Sequence, residues 1–268
     1  ALASREAMEP NQGGIVQGKN GQWYFMTHHG TGDWGGRIVS LLPVTWTDGW
    51  PIIGKVLPEG IGAMQWEGRM PYNSSEKLTI GRSDDFDTEV LAPQWQWNYQ
   101  PRKAFFSLQE RPGWMRLKAY RPLQPNQLMK AGNTLTQRTF RRADNEVTIK
   151  MDISHMEDGQ KSGLCHFSSQ HSALGIVKEN GICYLEYRKN GNIVRGPEAA
   201  SSFVWFRSVW GLDGLSRYAY SWDGDNFVDF GEPYQMVWGN YRGDRIGIYC
   251  FNDVAEKGWV DVDYLHYR

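Results

Sequence analysis

The stretch GDWGGRIVSLLPVTWTDGWPIIG, Gly32 to Gly54, opens as a polar, glycine-rich loop and continues as an apolar run cut by a turn. One arginine, Arg37, stands at the junction. RIVSLLPVTW, TDG and WPIIGKV read as strand, tight turn and strand. Just upstream, GGIVQ and QWYFMTH are separated by GKNG, a second hairpin signal. Residues 13–56 therefore read as three or four short antiparallel strands in one sheet. The runs IV, WYFM, IVSLL and WPII place apolar groups on both of its faces. A sheet of this kind cannot stand alone, because its edges and at least one apolar face would meet water. A sandwich would cover one side, whereas sister sheets arranged radially would cover both, as in a propeller.

Beyond this sheet, Leu57 to Leu78 holds Gly, Pro, Asn and Ser without a clean period and reads as a linker, 57–78. It contains Asn73, which begins a formal glycosylation sequon. From Thr79 the period-two pattern resumes. FFSLQ and GWMRLKAY form a hairpin about ERPG, and NTLTQRTF, EVTIKMDIS, SGLCHFSS, SALGIVKEN, ICYLEYRKN, SFVWFRSVW, LSRYAYSWDG, NFVDFG, RIGIYCFN and GWVDVDYLHYR follow. That is about ten strands at the spacing of an antiparallel sandwich. PNQLMKAG is the one place where a helical turn is expected. The expected organisation is a sheet at 1–56, a linker at 57–78 and a β-sandwich at 79–268.

Composition narrows the function classes. The 268 residues carry 29 Lys+Arg against 30 Asp+Glu, a net charge of −1, so the basic excess of a nucleic-acid binder is missing. No run of 18 apolar residues suits a membrane-spanning helix. ALASREAMEP has neither a charged start nor an apolar stretch and is no signal peptide. The three cysteines, Cys165, Cys183 and Cys250, are too few and too scattered for a disulfide framework and read as buried thiols in strands. Thirteen Trp and 13 Tyr suit either a sugar-binding surface or a β core.

The series PNQGGIVQGKNGQWYFMTHHGTGDWGGRIVSLLPVTWTDGWPIIG resembles the closing blade of the catalytic propeller in family 43 glycoside hydrolases of the β-xylosidase and α-L-arabinofuranosidase type. SDDFDTEVLAPQWQWNYQP, FFSLQERPGWMRLKAY and NTLTQRTF resemble the opening of that family's C-terminal concanavalin-like sandwich. The resemblance runs from about Pro10 to Arg268. It implies an all-β chain: a remnant of a five-bladed β-propeller, then an antiparallel concanavalin-like (jelly-roll) β-sandwich. It implies an inverting two-carboxylate hydrolysis of xylose- or arabinose-containing glycans. The family's Asp base, Glu acid and orienting Asp belong to earlier blades, so the expected partner is a propeller portion in the same protein or a second chain. A plant cell-wall oligosaccharide is the expected substrate, and a secreted or periplasmic bacterial setting follows. The competing reading is a non-catalytic carbohydrate-binding sandwich.

The resemblance also ranks residues. Family members place an arginine where Arg37 stands, its guanidinium fork directed at the sugar of the first subsite. Gln12 occupies a position where many relatives have a histidine near the propeller axis. Of His28 and His29, neighbours that face opposite sides of a strand, His28 is the candidate for the pocket or a calcium-linked role. Trp95 and Trp97, on one face of an extended segment, are candidates to wall the sugar cleft, or else core aromatics. Asp85, Asp261 and Asp263 lie near the two ends of the sandwich. If its first and last strands are neighbours, they would share a structural calcium. No cofactor is expected for the chemistry itself. Asp48 reads as a hairpin residue and Asp33 as a loop carboxylate beside Trp34.

Overall fold

The computed structural model describes residues 11–63, 67–68, 71, 82–239 and 242–268. The chain divides into two compact units, Ala1–Thr79 with Tyr241–Gly243, and Ile80–Asn240 with Asp244–Arg268.

In the first unit, β1 (Asn11–Gln17), β2 (Trp23–Gly30), β3 (Arg37–Thr47) and β4 (Trp50–Ile53) form one antiparallel sheet in that order. The β3–β4 turn works because Asp48 and Gly49 both take positive φ, 49° and 80°. Two left-handed positions give the tight turn whose twist matches the strands. The register pairs Phe25 with Leu42 and Met26 with Leu41, so alternate residues fall on opposite faces. One face exposes Met26, Val39 and Trp50, and the other exposes Ile15, Ile38 and Trp46. The two-faced apolar sheet inferred from the sequence is thus present. A short hairpin, Lys55–Val56 with Gly62–Ala63, occupies the beginning of the stretch expected to be irregular. Asn73 lies outside the described residues.

The second unit is a sandwich of two antiparallel sheets. The seven-stranded sheet runs, in spatial order, Asn192–Glu198, Ile182–Lys189, His171–Glu179, Gln160–Phe167, Arg245–Asn252, Thr134–Arg138 and Gln96–Trp97. The other runs Val228–Asp229, Leu215–Ser221, Phe203–Trp210, Asn145–Asp152, Trp259–Tyr267, Met115–Lys118 and Phe106–Ser107, with Tyr234–Gln235 also on Leu215–Ser221. Hydrogen-bonded neighbours are often distant in sequence, as in Thr134–Arg138 beside Arg245–Asn252. The core is built by alternation: Leu135, Leu164, Leu174, Ile248, Ile149, Val204, Phe206 and Val262 are all inaccessible. Each such side chain contributes about 1.5–3 kcal/mol of burial.

PNQLMKAG does form one turn, a 3-10 turn at Leu128–Lys130. Leu128 and Ala131 join Cys165, Phe167, Ala173, Tyr249 and Phe251 in a buried cluster. Cys165 and Cys250 are free thiols buried in strands, whereas Cys183, read with them as a buried thiol, is free and only half-buried. Burial pushes the Cys250 thiol up to about 12.

The first and last strands of the sandwich do meet. Asp84 and Leu265 exchange two backbone hydrogen bonds of 2.9 and 2.8 Å, and the Tyr267 N–H donates to Ser83 Oγ at 2.9 Å.

Candidate functional site

In the first unit the fold gathers three of the residues singled out from the sequence. β1 carries an irregularity between Asn11 and Gly13, and Gln12 takes a φ of 59° there. The Gln12 carbonyl accepts a hydrogen bond from Thr27 Oγ1 at 2.5 Å, while its side-chain Oε1 lies 3.3 Å from His28 Nε2. Gly30 pairs with Arg37 and His28 with Val39, which puts His28 and Arg37 on the same face of the β2–β3 ladder. His29 falls on the opposite face, with Nδ1 2.6 Å from Ser40 Oγ. The His28 Nδ1 atom is buried and has no hydrogen-bond partner among the described residues.

The glycine-rich loop before β3 is held by its own polar groups. Thr31 N–H donates to the Gly36 carbonyl at 2.7 Å. Asp33 Oδ1 accepts from Thr31 Oγ1 at 2.8 Å and from the Gly35 N–H at 2.9 Å. Asp33 is therefore engaged in shaping the loop, and Asp48 in the β3–β4 turn.

The sandwich residues behave differently. Trp95 is buried, its indole N–H donates to Asp84 Oδ2 at 2.7 Å, and its ring stacks on Phe86 with centroids 5.9 Å apart. It is a core aromatic and has no surface to offer a sugar. Trp97 is half-buried and packs on Phe106, with centroids 4.7 Å apart.

The shared calcium also needs correcting. Asp261, Asp263 and Asp85 each face a cation of the protein. Arg116 holds Asp261 through Nε at 2.7 Å and Nη2 at 2.9 Å, and Arg111 Nη1 adds a third bond at 3.0 Å. Asp263 accepts from Lys150 Nζ at 2.7 Å, and Asp85 Oδ1 lies 2.7 Å from His266 Nε2. No group of three metal-ligating side chains occurs among the described residues. The physical reason is register: Asp261 pairs directly with Arg116 across the ladder, so an arginine fills the place a cation would take.

Arg111 also reaches Asp152 at 2.7 Å, and Glu110 binds Lys118 at 2.6 Å and Arg116 at 3.2 Å. Burial pushes the Asp152 carboxyl up, but hydrogen bonds from Ser154 and Arg111 outweigh it and hold the group below its ordinary value. The Lys118 hydrogen bond holds Glu110 below its ordinary value as well. Groups depressed on folding contribute stability above the ordinary carboxylate range and lose it as pH falls through their folded values. Urea midpoints should therefore drop as pH is lowered below about 4. Asp152→Asn should flatten that drop, and an unchanged slope in the variant would refute the assignment.

Aromatic rings on the same side of this sheet are already used. Arg111 lies 3.7 Å over Trp114, and Lys150 sits 5.1, 5.4 and 5.7 Å from the rings of Trp114, Phe203 and Trp205. Such cation–π contacts engage these rings within the protein itself.

Sequence reasoning missed two buried clusters of ionisable side chains. Asp244 Oδ1 lies 2.6 Å from His166 Nδ1, whose Nε2 lies 2.9 Å from Ser208 Oγ, all buried. Arg188 Nε donates to Glu186 Oε1 at 2.5 Å, both 4% exposed at the side chain. Asn126 Oδ1 accepts from Arg188 Nη1 at 2.8 Å. A Glu-x-Arg pair on one strand face was legible in principle, since i and i+2 align. The His166 partners lie 42 and 78 residues away and left no local signal.

A family profile described as the β-xylosidase C-terminal concanavalin A-like domain matches residues 83–268. The chain belongs to that family. The C-terminal domain of family 43 glycoside hydrolases is thus present, and it corresponds closely to the sandwich unit. A β-xylosidase of Formosa agariphila is 33% identical over 96% of this chain and 47% of its own length. A putative β-xylosidase of Xylanibacter ruminicola is 28% identical over 89% of this chain and 44% of its own length. The chain therefore spans about half the length of these curated relatives. A solved structure described as a bifunctional GH43-CE of Bacteroides eggerthii superposes with a TM-score of 0.78 and 27% identity, covering 97% of this chain and 34% of that one. The family 43 likeness thus takes in the four-stranded sheet as well as the domain that follows it.

Proposed function

We propose that the chain is the C-terminal portion of a glycoside hydrolase acting on xylose- or arabinose-containing oligosaccharides, in which the four-stranded sheet closes a catalytic propeller. The observation that carries this reading is the sheet itself. It exposes Val39 and Trp50 on one face and Ile38 and Trp46 on the other, which is what a sheet flanked by sister blades requires. The names and greater lengths of the relatives support it. Arg37 binds hydroxyls of the terminal sugar, and Gln12 with His28 lines the same face. The inverting pair of carboxylates is supplied by the other blades, because Asp33 and Asp48 are committed to loop and turn geometry.

The test is cleavage of aryl β-xyloside and aryl α-arabinofuranoside by this chain alone and by the same chain joined to its propeller blades. Activity only in the joined protein is expected. Turnover by the chain alone would sink the assignment of the acids, and an inactive joined protein would sink the hydrolase reading.

A further inference from the structure

We infer that Asp33 is a positioning residue for Arg37. Both residues belong to the four-stranded unit. The last ladder pair of β2 and β3 is Gly30 with Arg37, and beyond it the chain turns through 31–36. Gly36, the residue before Arg37, takes a φ of 71° and has no side chain to hold it. The orientation of the peptide joining Gly36 to Arg37 therefore depends on hydrogen bonds. The carbonyl of that peptide accepts from the Thr31 N–H at 2.7 Å and lies 2.9 Å from Thr31 Oγ1. The Thr31 hydroxyl has one proton to give, and Asp33 Oδ1, at 2.8 Å, is its other acceptor in reach. Asp33 Oδ1 also accepts from the Gly35 N–H at 2.9 Å, and the Asp33 carbonyl accepts from the Gly36 N–H at 3.2 Å. One residue thus grips the turn at 31, 35 and 36, on both of its limbs.

The consequence is orientation. Arginine binds two hydroxyls through a planar fork at the end of a long stem, and the fork is useful only where the stem starts from a fixed place. The peptide that leads into Arg37 cannot turn over without breaking the bonds to Thr31 and Asp33. Asp33 therefore sets the backbone from which the Arg37 side chain departs, and acts on the sugar only through Arg37. The inference rests on the reading of Arg37 as a sugar-binding group.

The test is a double-mutant cycle in the joined hydrolase, read as kcat/KM on the aryl glycoside that it turns over. Asp33→Ala should lower kcat/KM by about 10²-fold, the scale of a group displaced by about 1 Å. Asp33→Asn keeps an Oδ1 acceptor for Thr31 and Gly35, so it should recover most of the loss, which a reacting carboxylate would not allow. In the Arg37→Ala background, Asp33→Ala should cost nothing more, because the group it positions is gone. If Asp33→Ala does not fold, Thr31→Val decides by the same cycle, since it removes the hydroxyl and keeps the N–H. Wild-type kcat/KM in Asp33→Ala, or an equal loss in both backgrounds, overturns the inference. Wild-type kcat/KM in Arg37→Ala overturns the sugar-binding reading instead, so the two failures are distinct.

Discussion

Arg37→Ala is expected to lower kcat/KM of the joined hydrolase by about 10²-fold if Arg37 binds the reacting sugar as proposed, the scale of losing one charged donor. The expectation follows from position. Arg37 is half-buried at the first residue of β3, shares a face with His28, and is preceded by a loop whose polar groups are fixed internally. On the proposed reading, the guanidinium of Arg37 binds vicinal hydroxyls of the sugar through two parallel donors. Arg37→Lys keeps the charge and loses the fork, so it should recover only part of the loss. The melting temperature should barely change in either variant, because the side chain is outside the core. If both variants keep wild-type kcat/KM on aryl xyloside and aryl arabinofuranoside, Arg37 is a surface residue and the subsite reading is wrong.

The largest stability effect is expected from Glu186→Ala, at about 3–5 kcal/mol by urea denaturation. Glu186 and Arg188 are both nearly inaccessible, and the glutamate is the anionic partner that offsets the arginine. Removing it leaves a buried cation whose Nη2 already lacks a hydrogen bond. Replacing the pair together, with Glu186→Leu and Arg188→Met, should cost far less than Glu186→Ala, because desolvation disappears with both charges. A single variant as stable as wild type would show that solvent reaches the pair. A double variant as damaged as the single one would show that Arg188 matters mainly through Asn126, which it also binds.

Much of the architecture was legible because it is written locally. Period-two runs and glycine turns marked the strands, and two-sided apolarity in 13–56 marked a sheet that needs neighbours. The 3-10 turn at Leu128–Lys130 and the β3–β4 turn at Asp48 were visible for the same reason. The site was legible only as far as register could carry it. His28 and His29 separate by alternation, yet the bulge that brings Gln12 against His28 depends on Gln12 and Gly13 both adopting positive φ. The grouping of Asp85, Asp261 and Asp263 failed for a long-range reason. Arg116 comes from a strand 145 residues away and pairs with Asp261, which no spacing rule could reveal. Trp95 and Trp97 were read together from their spacing, but only Trp95 is drawn into the core, by Asp84 and Phe86.

The bridge between Asp84 and Leu265 has a mechanical consequence. The polypeptide enters the sandwich and finishes it on adjacent threads, tied by Ser83, Asp84 and His266. A tug on the incoming peptide is therefore borne first by the terminal strand rather than by the middle of either sheet. A module whose ends lie side by side is also easy to append to a host, because neither end must thread through the body it joins. The sandwich is thus built as a portable module.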